Sequence, residues 1–158
     1  MTALVTGIDL PHSPISHLRQ KLKSDLANLK SDQKIVVFGC DQGANVDVLR
    51  DSSVATFSLV CAGMLPPSFV EYALRDGASG VLVTGCQSGG CEFRLGQQWT
   101  RARLERKREP SLRASVARDS LQIVWADVGD EAVLKQALSV LQLRVASAHK
   151  QRATVEPI

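Results

Sequence analysis

Gly80-Val-Leu-Val-Thr-Gly-Cys86 is a short apolar run, rich in β-branched residues, that closes on a glycine and then a cysteine. Two earlier stretches repeat the pattern: Ile35–Gly39 (IVVFG) is followed by Cys40, and Val54–Val60 (VATFSLV) by Cys61. Leu121–Ala126 (LQIVWA) is a fourth run of the same kind. None of the four alternates apolar with polar residues. Strands of that composition belong in a sheet covered on both faces, as parallel sheets are.

Helical patterns fill the gaps between these runs. Pro66–Arg75 (PPSFVEYALR) has its prolines at the start, where a helix tolerates them, and Gly77 is placed to stop it. Leu95–Arg108 reads as a long polar helix ended by Pro110. Asp130–Lys150 carries apolar residues at 133, 134, 137, 138, 141 and 145, which is helical spacing. Gly43–Arg50 suits a short helix. The alternation predicts an α/β fold: a small, open, mainly parallel four-stranded sheet with helices on both faces, wound as in flavodoxin.

Outside that core the chain changes character. Ser13-Pro14 reads as an N-cap followed by proline at the first helical position, and Ile15, Leu18, Leu22, Leu26 and Leu29 then recur at helical steps. Residues 1–33 are therefore expected to form an extension with one amphipathic helix, which either packs on the domain or docks on a partner. Residues 34–150 form the α/β domain, and 151–158 a loose tail.

The chain has 158 residues, 44% of them hydrophobic and 22% charged, enough for one globular domain with a real core. No apolar run approaches the roughly 20 residues of a membrane span. The first residues lack a basic segment followed by a long apolar one, so the expected compartment is the cytoplasm, where thiols stay reduced. The net charge is only +3, yet eight of the 19 Lys and Arg residues fall between Arg94 and Arg118. With Trp99 the one aromatic nearby and no nucleic-acid motif, this basic stretch reads as a solvated helix face or a dock for an acidic protein. No phosphate-binding glycine motif follows the first strand, and no P-loop occurs. His12, His17 and His149 lie away from any motif.

The cysteines are the chemical signal. Strands of a parallel sheet end along one edge, and such folds bind ligands there, where strand order reverses. Cys40, Cys61 and Cys86 each follow a strand, so they are expected to be neighbours. Cys91 comes five residues after Cys86, across a Gly-rich turn that can fold back and expose backbone N–H groups to a negative sulfur centre. Gly39, Gly85, Gly89 and Gly90 would let backbone approach closely. Several readings stay open. Buried cysteine can act as a small hydrophobe. Structural zinc usually takes two closely spaced knuckles, whereas the spacings here are 21, 25 and 5. Single ligands from separate strand ends suit an iron–sulfur cluster better, [2Fe–2S] or [4Fe–4S].

From about Lys34 to Val145 the chain resembles the delta (iron–sulfur) subunit of methyl-viologen-reducing hydrogenase. The resemblance is carried by VVFGCDQGAN (36–45) and by CAGMLPPSFVEYALRDGASGVLVTGCQSGGCEFRLGQQWTRARLERKRE (61–109). It implies a non-catalytic electron-transfer subunit with one [2Fe–2S] cluster, held here by Cys40, Cys61, Cys86 and Cys91. It implies a hetero-oligomer in which this chain relays electrons between a hydrogenase or dehydrogenase module and a heterodisulfide-reductase-A-like flavoprotein, with no nucleic acid and no membrane insertion. The chain departs from the family pattern in two places. Gly43 stands where a second cysteine commonly follows the first strand, and Gln87, Gly90 and Glu92 replace His, Asp and His in the loop. The alternative from these departures is a zinc-binding or cluster-less scaffold subunit.

Overall fold

The computed structural model describes residues 15–41, 43–59, 65–86, 96–107, 111–113, 116 and 118–155. Four strands form one sheet: β1 (Ile35–Cys40), β2 (Val54–Leu59), β3 (Gly80–Gly85) and β4 (Leu121–Trp125). The order is β2-β1-β3-β4, and every neighbouring pair is parallel. The expected winding is therefore present. β1 and β3 are buried at all six positions, as their unbroken apolar composition demands.

Alternate residues of the strands feed two separate cores. On one face Val36, Phe38, Val81 and Val83 pack with α1 (Ile15–Asn28), α2 (Pro67–Arg75) and Leu104 of α3 (Gly96–Leu104). On the other, Ile35, Val37 and Leu82 pack with Leu134, Leu138 and Leu141 of α4 (Glu131–Val155) and with Val46 and Leu49 of a 3₁₀ helix, Val46–Leu49. Each such side chain, fully buried, contributes about 1.5–3 kcal/mol before entropy is counted.

The N-terminal helix belongs to the first core. Leu22 and Leu26 are 0% exposed, and Leu18 and Leu29 pack against the same cluster. Arg19 ion-pairs with Asp76 just beyond α2, and its guanidinium sits 4.3 Å from the Tyr72 ring centroid. The leucine stripe is thus spent on the protein's own domain and does not await a partner. Ser13-Pro14, its expected start, lies outside the described residues.

Two helix ends show how local rules shaped the elements. After α2, Ala78 N–H donates to Ala73 O at 2.9 Å and Gly77 N–H to Leu74 O at 3.4 Å, with Gly77 at φ +116°. That closure needs a left-handed residue, and glycine supplies it without strain. α3 ends by the same closure: Lys107 N–H donates to Ala102 O at 2.7 Å and Arg106 N–H to Arg103 O at 3.2 Å. Here the left-handed residue is Arg106, at φ +65°. The helix expected over 95–108 accordingly stops at Leu104. Arg106 Nη2 bonds the carbonyls of Arg113 and Val116, both at 2.9 Å, which offsets the backbone cost. α4, by contrast, runs on to Val155 and takes in residues that the sequence reading assigned to the tail. The short helix expected over 43–50 narrows to the 3₁₀ turn, capped by the Asn45 side chain, which accepts from Asp47 N–H at 3.0 Å. Among the described residues, no helix is long and apolar enough to cross a membrane.

Candidate metal centre

The chain leaves β1 toward β2 on one side, then crosses back over β1 to reach β3 on the other. The order of the sheet therefore reverses between β1 and β3, which is where doubly wound sheets open a crevice for ligands. Cys40 is the last residue of β1 and Cys86 the first after β3. Extending the Phe38↔Val83 register sets Cys40 level with Gly85, so the two cysteines flank the reversal point at its carboxyl edge. They pack against each other, each 3% exposed. Cys61 and Cys91 lie outside the described residues, as do Gly89 and Gly90. β2, the strand leading to Cys61, is hydrogen-bonded to β1 with Leu59 opposite Cys40.

The turn after β1 is drawn tightly over the neighbouring strand ends. Gly43 N–H donates to Cys40 O and Ala44 N–H to Ala126 O, both at 3.0 Å. Gly43 also forms an antiparallel bridge with Asp127. A Cβ at position 43 would lie 2.9 Å from Ala126 O and 3.1 Å from both Cys86 N and Gly85 C. All three are backbone atoms and cannot yield by rotating. Gly43 is therefore not a simple loss of a thiol: no side chain fits at 43 unless the strand ends part. Gly39 serves packing in a similar way. A Cβ there would meet Val46 Cγ1 at 2.4 Å, so its absence seats the 3₁₀ helix on β1.

Glu131, at the start of α4, ties the other side of the turn, accepting from Asn45 N–H at 3.3 Å. Its own backbone N–H, then that of Asn45, hold its carboxyl below the usual carboxylate range. Asp41 accepts a hydrogen bond from the Ser58 hydroxyl and links the end of β1 to β2. Thr84, two residues before Cys86, is 2% exposed, and its hydroxyl has no partner among the described residues.

Two adjacent, buried sulfurs are soft donors and suit iron–sulfur or zinc chemistry rather than hard cations. Among the described residues no group of three His, Cys, Asp or Glu side chains could hold a metal ion. A four-sulfur site would thus need Cys61 and Cys91 to complete the pair. The donor set at the crevice fits a cluster in kind.

Strand endings revealed both thiols, but sequence reasoning missed Trp125. It ends β4 beside Gly85 and packs against Cys40 and Cys86. The strand-end logic used for the first three runs points past the fourth, to Asp127, and so passes over a residue inside the run.

Comparison with known proteins adds the family. Residues 35–147 match the family model described as methyl-viologen-reducing hydrogenase, delta subunit. The chain is 36% identical over 50 residues to the iron-sulfur subunit of the F420-non-reducing hydrogenase vhc of Methanococcus voltae, covering 31% of this chain and 35% of that protein. It is 41% identical over 51 residues to the iron-sulfur subunit of the F420-non-reducing hydrogenase of Archaeoglobus profundus, covering 30% and 37%. The aligned stretch thus spans little more than a third of these curated relatives.

Proposed function

The chain belongs to the methyl-viologen-reducing hydrogenase delta-subunit family, and from that premise we propose that it is an electron-transfer subunit carrying one [2Fe–2S] cluster. The observation that carries the reading is the meeting of two buried thiols, Cys40 and Cys86, at the point where the sheet order reverses. The relatives' names, which specify iron–sulfur subunits, support it. Cys61 and Cys91 supply the other two ligands, and the Gly-rich loop between Cys86 and Cys91 supplies backbone N–H donors to the sulfurs. When bound, the cluster supplies a one-electron carrier with no proton to move. The protein's part is to fix the sulfurs, keep water off them and place them at the rim of the sheet.

The chain works in a cytoplasmic hetero-oligomer. It passes electrons between a hydrogenase or dehydrogenase module and a heterodisulfide-reductase-A-like flavoprotein. It has no substrate of its own. The exposed cations at the end of α3, Arg101 and Lys107, are the face offered to an acidic partner. The test is the metal content of chain purified without oxygen. Two iron and two labile sulfide per chain, with an EPR signal only after one-electron reduction, are expected. Zinc without labile sulfide, or no metal, contradicts the reading.

A further inference from the structure

Trp125 stands at the end of β4, level with Gly85 and next to the two buried thiols. β4 is half-buried at all five positions, Trp125 included. The indole therefore has two surroundings: part of it packs on the sulfurs and part meets solvent. Cys40 and Cys86 are each 3% exposed although they sit at the rim of the sheet, where chain ends and loops leave openings. Above the ends of β3 and β4 the rim is crossed by backbone, since Gly43 lies at contact distance from Gly85, Cys86 and Ala126. Beside that crossing, the ring of Trp125 packs against both thiols.

We infer that Trp125 is a positioning residue of the sulfur site, whose indole forms the wall that keeps water and oxidants off Cys40 and Cys86. The inference deepens the proposed cluster site, yet the wall is a property of the metal-free chain. The chemistry suits the task. An indole is broad, rigid and apolar, and contact between sulfur and an aromatic ring is favourable. Its one polar group is an N–H, which donates only and cannot compete with the thiolates as a ligand. Water admitted at this wall would favour the more highly charged state of any group held by the sulfurs, so the wall also influences the potential at which an electron enters.

The test uses the full-length, metal-free, reduced chain and iodoacetamide as the probe. Tryptic digestion isolates Cys40 on the peptide Ile35–Arg50, and fragment ions separate Cys86 from Cys91 on the peptide Asp76–Arg94. In Trp125→Ala, alkylation of Cys40 and Cys86 should speed up by about tenfold or more, as protection by local packing is lost. Trp125→Phe should restore most of that protection. Circular dichroism first establishes that each variant is folded. If Trp125→Ala does not fold, Trp125→Phe and Trp125→Leu decide the matter by their order, with Phe the slower to react. A second readout is the emission of Trp125 in a Trp99→Phe chain, which should fall by more than half when ferric iron and sulfide are taken up. Equal alkylation rates in the parent and in folded Trp125→Ala overturn the inference and leave the cluster reading standing. Failure of the parent chain to take up iron and sulfide overturns the cluster reading, while the alkylation rates still decide the role of Trp125.

Discussion

β3 and β4 are neighbours in one sheet, yet they are built differently. β3 (GVLVTG) is buried at all six positions and pinned by a strand on each side. β4 (LQIVW) is half-buried throughout and forms an edge. Around β3 even the backbone is crowded, as Gly43 against Gly85 and Cys86 shows. Around β4 the chain accepts charge and irregularity. Arg144 bonds Gln122, and a cavity of about 390 Å³ is lined by Leu104, Arg106, Leu112, Leu121 and Ile123. The difference separates two tasks. The centre holds the thiols rigidly, and the edge offers surface to the outside.

Core truncation sets the two strands furthest apart. Leu82→Ala, at a position with 0% exposure, should cost about 2–5 kcal/mol in denaturant unfolding of the metal-free chain. Leu121→Ala, half-buried on β4, should cost under about 1.5 kcal/mol. Equal losses would erase the contrast.

Crowding at the strand ends gives the next effect. Gly43→Ala should lower stability by about 1–3 kcal/mol, because the added methyl meets backbone that cannot rotate away. Gly43→Cys should cost at least as much and should not raise the iron content. A stable Gly43→Cys chain that gains a ligand would mean that the turn yields.

Two buried threonines sharpen the point with opposite signs. Thr56 on β2 donates to Asp47 Oδ1 at 2.8 Å and accepts from Arg50 Nε at 3.2 Å. Thr84 on β3 has no hydroxyl partner among the described residues. Thr56→Val should destabilise by about 0.5–1.5 kcal/mol, while Thr84→Val should stabilise the metal-free chain by about 1 kcal/mol. Thermal unfolding of the two variants reads the sign directly.

The smallest effect belongs to the charged end beyond β3. Arg101, then Lys107, hold the Glu105 carboxyl below its usual value through hydrogen bonds at 2.8 and 3.1 Å. A carboxylate lowered on folding adds stability that is present above its ordinary value. That stability is lost as pH falls through the lower folded value. Glu105→Gln should remove this acid dependence and cost under about 0.5 kcal/mol at neutral pH, since the pairs are solvent-screened.

The centre was legible in the sequence because apolar β-branched runs leave few alternatives to a buried strand. The α/β class, the winding and the positions of Cys40 and Cys86 followed from where those runs end. The edge was less legible. Nothing in Arg103-Leu-Glu-Arg-Lys107 marks a left-handed residue, because Arg106 takes a role usually filled by glycine and is held there by distant carbonyls. The leucine stripe of α1 had two readings, since periodicity shows that a face will be covered but not by what. Gly43 read as a missing cysteine. Its reason, an approach between three backbone segments, exists only once the sheet is assembled. Cys61 and Cys91 lie outside the described residues, and their place in the proposed site rests on a strand ending for Cys61, the Gly-rich loop for Cys91 and family resemblance for both.

The central claim is that the strand-end cysteines hold a cluster together. Cys86→Ser, purified without oxygen beside the parent chain, tests it most directly through iron, labile sulfide and the EPR signal after reduction. The account predicts a folded variant, unchanged in circular dichroism, that has lost the iron, the sulfide and the signal. Parental iron, sulfide and signal in Cys86→Ser would contradict it.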